Sequence, residues 1–241
     1  MILIRSALFQ VAFYLWTALS LVLCTPLLLG PRRGVIRAQD YWARGALWLL
    51  QVLAGIRLEV RGREHLPQGA AIVASKHQSA FDTFIYHLLL PDPAIVMKRE
   101  LMLIPFYGWY ARRAGMIVVD RKAGANALKR LVRDAKAALG LNRQILIFPE
   151  GTRTAPGVRL PYQPGVVALY SQLNAPLVPV ALNSGLHWPR RRFRKYPGTI
   201  TIEFQPPIPP GLPRKEFSAR LEQAIESASD RLAGAAGRRD A

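Results

Sequence analysis

The chain holds a histidine and an aspartate with four residues between them, in the run His77-Gln78-Ser79-Ala80-Phe81-Asp82. About seventy positions later comes a second run, Phe148-Pro149-Glu150-Gly151-Thr152-Arg153. An ionised carboxylate can accept a proton from one imidazole nitrogen and leave the other nitrogen as a base. The second run adds another carboxylate and a guanidinium, which can hold an oxyanion through paired donors. In this order, and each at the mouth of an apolar strand-like stretch, the two runs suit acyl transfer onto a phosphorylated acceptor.

The local structure must let the first pair meet. On a continuous helix of about 3.6 residues per turn, residues five apart point about 140° away from each other. A turn is therefore required. The Ala70 to Ala74 run ends just before His77, and Ser79 with Asp82 three positions on resembles a helix-capping arrangement. This predicts His77 on the loop after a strand and Asp82 in the first turn of a helix. The competing reading makes Asp82 only a cap and His77 an ordinary loop residue. The spacing recurs at His87 and Asp92, but Leu88-Leu89-Leu90-Pro91 between them reads as a helix end, so that pair is set aside. His65 and His187 are isolated, and no metal-ligand spacing is present, so no metal is expected. In the second run, a buried strand over Gln144 to Phe148 should stop at Pro149-Glu150-Gly151 and display Glu150 and Arg153 at the sheet edge. The competing reading is a solvent-exposed pair of little consequence.

The elements that would carry these runs form an α/β protein. Short apolar stretches at Ile56 to Val60, Ala70 to Ala74, Ala94 to Met97, Met116 to Val119, Gln144 to Phe148, Leu177 to Ala181 and Thr199 to Phe204 read as strands. Most are nearly continuous in apolar content, as a sheet covered on both faces requires. Leu128, Leu131, Val132, Ala135 and Leu139 recur at helical spacing, with Gly140 placed to close that helix, and Phe217, Leu221, Ile225, Ala228 and Leu232 mark a C-terminal amphipathic helix. A mostly parallel or mixed central sheet flanked by helices is expected over 57–241, with Pro206 to Pro213 as a proline-rich connector.

The N-terminal part, 1–56, reads as a membrane anchor. Ala7 to Leu29 is a run of 23 residues without a charge, and about 20 suffice to cross a bilayer core. A signal peptide would begin similarly, but no small-x-small cleavage site follows. Arg32, Arg33, Arg37 and Arg44 after this run, against Arg5 before it, place the remainder on the cytoplasmic side. Pro26 and Gly30 allow a bend, and Tyr41 to Ile56 is a second helix candidate suited to the interface. The expectation is a hairpin-like anchor.

Charge limits the partners. Lys and Arg number 33 against 15 Asp and Glu, for a net charge of +18 and a pI near 11.0, which calls for an anionic partner such as lipid headgroups or nucleic acid. Arg190, Arg191, Arg192, Arg194 and Lys195 alternate with Trp188, Phe193 and Tyr196, a mixture suited to an anionic bilayer surface. Nucleic acid and a merely solvated loop are the competing readings. The single cysteine, Cys24, lies in the apolar run, so an internal disulfide is excluded.

Two further blocks, Gly115-Met116-Ile117-Val118-Val119-Asp120-Arg121 and Val178-Pro179-Val180, complete an ordered set of four with the runs above. With them, the stretch from Arg61 to Ile208 resembles the 1-acylglycerol-3-phosphate acyltransferase family of phospholipid synthesis. Lys98-Arg99-Glu100-Leu101 and Ile104-Pro105-Phe106-Tyr107-Gly108-Trp109 resemble a stretch of its bacterial members. The resemblance implies that His77, oriented by Asp82, deprotonates the free hydroxyl of lysophosphatidic acid, giving phosphatidic acid. The acyl donor would be acyl-CoA or an acyl carrier protein thioester, with no cofactor. It assigns the acceptor phosphate to Lys98, Arg121 and the Glu150-Gly151-Thr152-Arg153 stretch, in which Glu150 organises the site. A thioester is already activated, and the chain has no Gly-x-Ser-x-Gly elbow, so direct transfer fits better than an acyl-enzyme. The implied setting is a bacterial cytoplasmic membrane, with anionic lipids as partners and no nucleic acid. Acylation of another lysolipid, such as lyso-ornithine lipid, and a catalytically idle membrane-binding protein are the alternatives.

Overall fold

The computed structural model describes residues 1–239, apart from the side chains of Lys122 and of residues 237–239. All seven expected strands form: β1 (Ile56–Arg61), β2 (Ala71–Ser75), β3 (Pro93–Lys98), β4 (Ile117–Val119), β5 (Gln144–Ile147), β6 (Leu177–Leu182) and β7 (Gly198–Phe204). They make one mixed sheet in the order β1-β7-β6-β2-β5-β3-β4. Every pairing is parallel except β6 with β7. Strands β2 to β6 therefore all point the same way, and the residues that follow them emerge along one edge.

Eight α-helices accompany the sheet among the described residues: α1 (Ile2–Leu23), α2 (Arg32–Leu49), α3 (Tyr86–Leu89), α4 (Tyr107–Arg113), α5 (Gly124–Gly140), α6 (Pro164–Leu173), α7 (Ser184–His187) and α8 (Arg214–Arg239). Successive strand residues face opposite sides, and the two sides find different covers. Ile72, Ala74, Ile145 and Ile147 pack under Leu131 and Ala135 of α5, Leu169 of α6, and Phe217, Leu221 and Ile225 of α8. Val73, Leu146, Val180, Ile200 and Ile202 pack instead with Phe9 of α1, Ala43 and Ala46 of α2, and Leu50 and Ala54 just beyond it. The N-terminal hairpin thus forms the third layer of the molecule. Each fully buried Leu, Ile or Phe in these layers contributes about 1.5–3 kcal/mol.

The hairpin departs from its sequence expectation at both ends. α1 ends at Leu23, ahead of Pro26, whose ring and missing N–H favour the short 3₁₀ turn Thr25–Leu28 over a longer helix. α2 starts at Arg32, well before Tyr41, because Arg33, Arg37 and Arg44 point outward while Val35, Ala38, Ala43 and Ala46 face inward. The two helices run antiparallel. Arg5 Nε donates to the Leu53 carbonyl at 2.9 Å, Trp16 Nε1 to the Trp42 carbonyl at 2.9 Å, and Trp42 Nε1 to Thr17 Oγ1 at 3.1 Å. Gly45 makes the close approach possible, since a Cβ there would fall 2.3 Å from the Trp16 ring. The outer face of α1 keeps Ile4, Leu8, Val11, Leu15, Leu19 and Val22 exposed, one apolar stripe at helical spacing.

Two smaller expectations gain detail. α5 ends at Gly140, and the left-handed position beyond the helix falls to Asn142 at φ 60°, whose Oδ1 also accepts the Ala70 N–H at 2.9 Å. The proline-rich connector is tied to the sheet, with Ile208 and Leu177 exchanging backbone hydrogen bonds at 2.7 and 3.0 Å.

His87 and Asp92 do not pair. Asp92 takes both Nη1 and Nη2 of Arg32, at 2.8 and 2.6 Å, and Arg143 Nε lies 3.1 Å away as an ion pair without hydrogen-bond alignment. Burial opposes the charged form of Asp92, but these guanidiniums outweigh it and hold the carboxyl below its ordinary value. His87 is different: burial pushes its imidazole down to about 4 from an ordinary 6.5, against the opposing pull of Asp40 and Asp92. Between these values the unfolded chain binds a proton that the folded chain refuses. Stability should be full above about pH 6.5 and decline towards pH 4, by at most about 3 kcal/mol. Thermal melts in detergent at stepped pH should show this slope in the wild type and a flatter one in His87→Leu.

Candidate active site

The site is assembled at the carboxyl edge of the parallel strands, where open α/β sheets place their ligands. β2 ends at Ser75, and the next N–H, that of Lys76, is still held by the Val180 carbonyl at 2.9 Å. His77 follows. Its Nδ1 lies 3.0 Å from Asp82 Oδ2, and the same oxygen accepts the backbone N–H groups of Gln78 at 2.7 Å and Ser79 at 2.8 Å. Asp82 is fully buried and sits in the first turn of a helix, as the sequence predicts, and that helix is the short 3₁₀ segment Phe81–Thr83. The reason is local: Asp82 folds back to cap the 77–79 segment, while Ser79 Oγ accepts the Phe81 N–H at 3.1 Å and tightens the turn.

With Nδ1 turned to the carboxylate, the opposite nitrogen Nε2 has no partner among the described residues, and the side chain keeps 11% of its surface exposed. The ring is further fixed by stacking on Phe148, with centroids 4.0 Å apart and planes 20° apart. An imidazole held in one orientation, one nitrogen on an acid and the other free, can act as a general base.

β5 delivers the second run. After Phe148 the chain turns, with Gly151 N–H on the Phe148 carbonyl at 2.8 Å and Gln163 N–H on the Pro149 carbonyl at 2.8 Å. Gly151 has φ 67°, which favours glycine, and a Cβ on it would come within 2.6 Å of Arg121 Nη2, so any side chain there would displace that guanidinium. Arg121, just past β4, donates to the Gly151 carbonyl, and Arg190 Nη1 donates to the Arg153 carbonyl at 2.7 Å. The turn is thus bracketed by guanidiniums on both sides. Thr152 is partly exposed within it, and Lys98 ends β3 with its side chain exposed on the same edge. Burial, followed by the charge of Arg190, holds the Arg153 guanidinium below its ordinary value; Asp82 pulls the other way, and Arg191 adds to the depression. Arg153 thus lies within electrostatic reach of both Asp82 and the Arg190–Arg191 cluster.

Glu150 is not displayed at the edge as expected but is turned inward, 3% exposed, because its Oε1 lies 2.9 Å from Lys76 Nζ and its Oε2 accepts the Thr154 hydroxyl at 3.0 Å. Lys76, Thr154, Tyr162 and Glu226 surround it, and no motif in the sequence marks them. The available signals were a lysine directly after a wholly apolar strand and a glutamate beside Ile225 on the inner side of α8.

The basic patch after α7 divides. Arg190 to Arg194 are exposed, but Lys195 is buried on the Phe193 and Arg192 carbonyls at 2.7 and 3.2 Å. Trp188 is buried too, with its ring 5.1 Å from Phe9 and 5.6 Å from Phe13. Phe84, two residues past Asp82, meets Phe13 at 6.4 Å and Trp42 at 5.6 Å, so the N-terminal helices adjoin the His77–Asp82 segment.

Residues 57–183 match the family model described as Acyltransferase, which places the chain among group-transfer enzymes. The chain is 38% identical to 1-acyl-sn-glycerol-3-phosphate acyltransferase of Pseudomonas aeruginosa, over 84% of this chain and 80% of that one. It is 32% identical to the human 1-acyl-sn-glycerol-3-phosphate acyltransferase alpha, over 83% and 72% of the two chains. Its fold is that of the crystal structure of the 1-acyl-sn-glycerophosphate (LPA) acyltransferase of Thermotoga maritima, with a TM-score of 0.80 over 96% of this chain and 98% of the other at 22% identity. The chain belongs to the 1-acyl-sn-glycerol-3-phosphate acyltransferase family.

Proposed function

We propose that the protein transfers an acyl chain from a thioester, acyl-CoA or acyl carrier protein, to the free hydroxyl of 1-acyl-sn-glycerol 3-phosphate, giving phosphatidic acid. The observation that carries this reading is the convergence of the His77–Asp82 pair with Arg153 and Arg121 on one sheet edge. His77 Nε2 takes the hydroxyl proton as that oxygen attacks the thioester carbonyl. The tetrahedral adduct then collapses, the carbon–sulfur bond breaks, and the imidazolium returns its proton to the leaving thiolate. Asp82 stabilises the imidazolium between these steps. Arg153, Arg121 and Lys98 hold the acceptor phosphate, with Glu150-Gly151-Thr152 shaping the turn.

The setting supports a lipid acceptor. α1 is long and apolar enough to cross a membrane by length and composition and is mostly unburied, which supports membrane association. One face of α1 rests on α2 and the Trp188 loop while the opposite stripe is bare, a geometry suited to lying within one leaflet. Exposed Leu29, Leu103, Ile104 and Trp109, with Arg112 and Arg113, extend that surface, and the arginines would face anionic headgroups on the cytoplasmic side of a bacterial inner membrane.

The test is an assay of purified protein with labelled acyl-CoA and acyl carrier protein thioesters against a panel of lysolipids. Phosphatidic acid formed from lysophosphatidic acid is the expected product. Acylation confined to a phosphate-free acceptor, lyso-ornithine lipid included, would sink the proposal.

A further inference from the structure

The C-terminal helix enters the active site through a buried ammonium group. Lys76, the residue before His77, is 2% exposed. An ammonium has three donors, and all are used: on Glu150 Oε1 at 2.9 Å, on the Val158 carbonyl at 3.1 Å, and on both oxygens of Glu226 at 2.9 and 2.8 Å. Glu226 lies on α8 with its side chain 3% exposed, and its Oε1 also accepts the Tyr162 hydroxyl at 2.9 Å. Glu150 Oε1 takes the Leu160 N–H at 3.2 Å, and its Oε2 takes the Thr154 hydroxyl. Thr154 closes the circuit, giving its N–H to the His77 carbonyl at 2.8 Å, with its hydroxyl 3.3 Å from the same oxygen.

His77 is therefore gripped on both sides in the chain, through Lys76 before it and through its own carbonyl. Both grips pass through Glu150, whose turn carries Arg153. Burying one cation with two carboxylates is costly compared with apolar packing of the same volume, so stability alone is a poor reason for the arrangement. Fixed geometry is a better one, because small displacements of reacting groups cost much in rate.

We propose that Glu226 is a positioning residue: acting through Lys76, it holds the His77 segment and the Glu150 turn in one geometry, keeping the base in register with the anion-binding arginine. This rests on the acyl-transfer reading above. Glu226 lies outside both the matched family region and the four sequence blocks.

The experiment compares wild type, Glu226→Ala, Glu226→Gln, Lys76→Met and the Lys76→Met/Glu226→Ala double variant, with kcat and both KM values taken per folded enzyme. Glu226→Ala should lose at least about tenfold in kcat, with each KM within about twofold of wild type. Glu226→Gln, which keeps an oxygen toward Lys76 and Tyr162, should recover most of the rate. The double variant should be no slower than Lys76→Met alone, because one residue acts through the other. Unchanged kcat in Glu226→Ala, a loss confined to KM, or fully additive losses would each overturn the proposal. If Glu226→Ala does not fold, Tyr162→Phe decides: it removes one donor to Glu226, and a wild-type kcat overturns the proposal whereas a reduced one supports it. A wild type inactive on every lysolipid overturns the acyl-transfer reading and this inference with it. An active wild type with an indifferent Glu226→Ala overturns this inference alone.

Discussion

Replacing His77 with alanine should lower kcat by about 10²–10⁴, the usual worth of a positioned general base. The folded population should not change, because the ring contributes one stacking contact and one hydrogen bond. Asp82→Asn should fall at the lower end of that range: the amide oxygen can still accept the Gln78 and Ser79 N–H groups that shape the loop, but the charge that stabilises the imidazolium is gone. Initial rates at saturating substrate, with near-ultraviolet spectra as the fold control, check both. A His77→Ala enzyme as fast as wild type would remove the base from the mechanism.

The second large effect belongs to Arg153. Its guanidinium is depressed by burial and by the neighbouring Arg190 charge, a strain that a bound phosphate dianion relieves. Arg153→Ala should therefore reduce kcat/KM for lysophosphatidic acid by about 10². The rate with a phosphate-free monoacylglycerol should barely move. The local chain should stay in place, since Arg190 holds the backbone carbonyl of residue 153 and not its side chain. The ratio of the two specificity constants is the measurement, and equal losses on both acceptors would assign Arg153 a structural role instead.

Much of this was legible in the sequence because the relevant signals are local. Seven short apolar runs mark the seven strands, and a turn is forced between His77 and Asp82 by helix geometry alone. The edge that gathers His77 and the arginines follows from parallel pairing, which nearly continuous apolar strands announce. Less legible was what depends on contacts distant in the chain. No spacing rule links Lys76 to Glu226, 150 residues away, because their meeting depends on how α8 crosses the sheet. Asp82 capping backward is a choice among hydrogen-bond partners that the tertiary environment makes. The early start of α2 was hidden because outward arginines resemble a loop until the inward alanines are seen to have a surface to cover.

The third layer has a practical consequence for anyone seeking a detergent-free enzyme. Deleting everything before Ile56 would strip the cover from Val73, Leu146, Val180, Ile200 and Ile202 as well as removing the greasy outer stripe. Such a truncation should collect in inclusion bodies, and soluble expression is the readout. Solubilising the protein calls instead for polar substitutions at Ile4, Leu8, Val11, Leu15, Leu19 and Val22, leaving Phe9 and Phe13 in their seats.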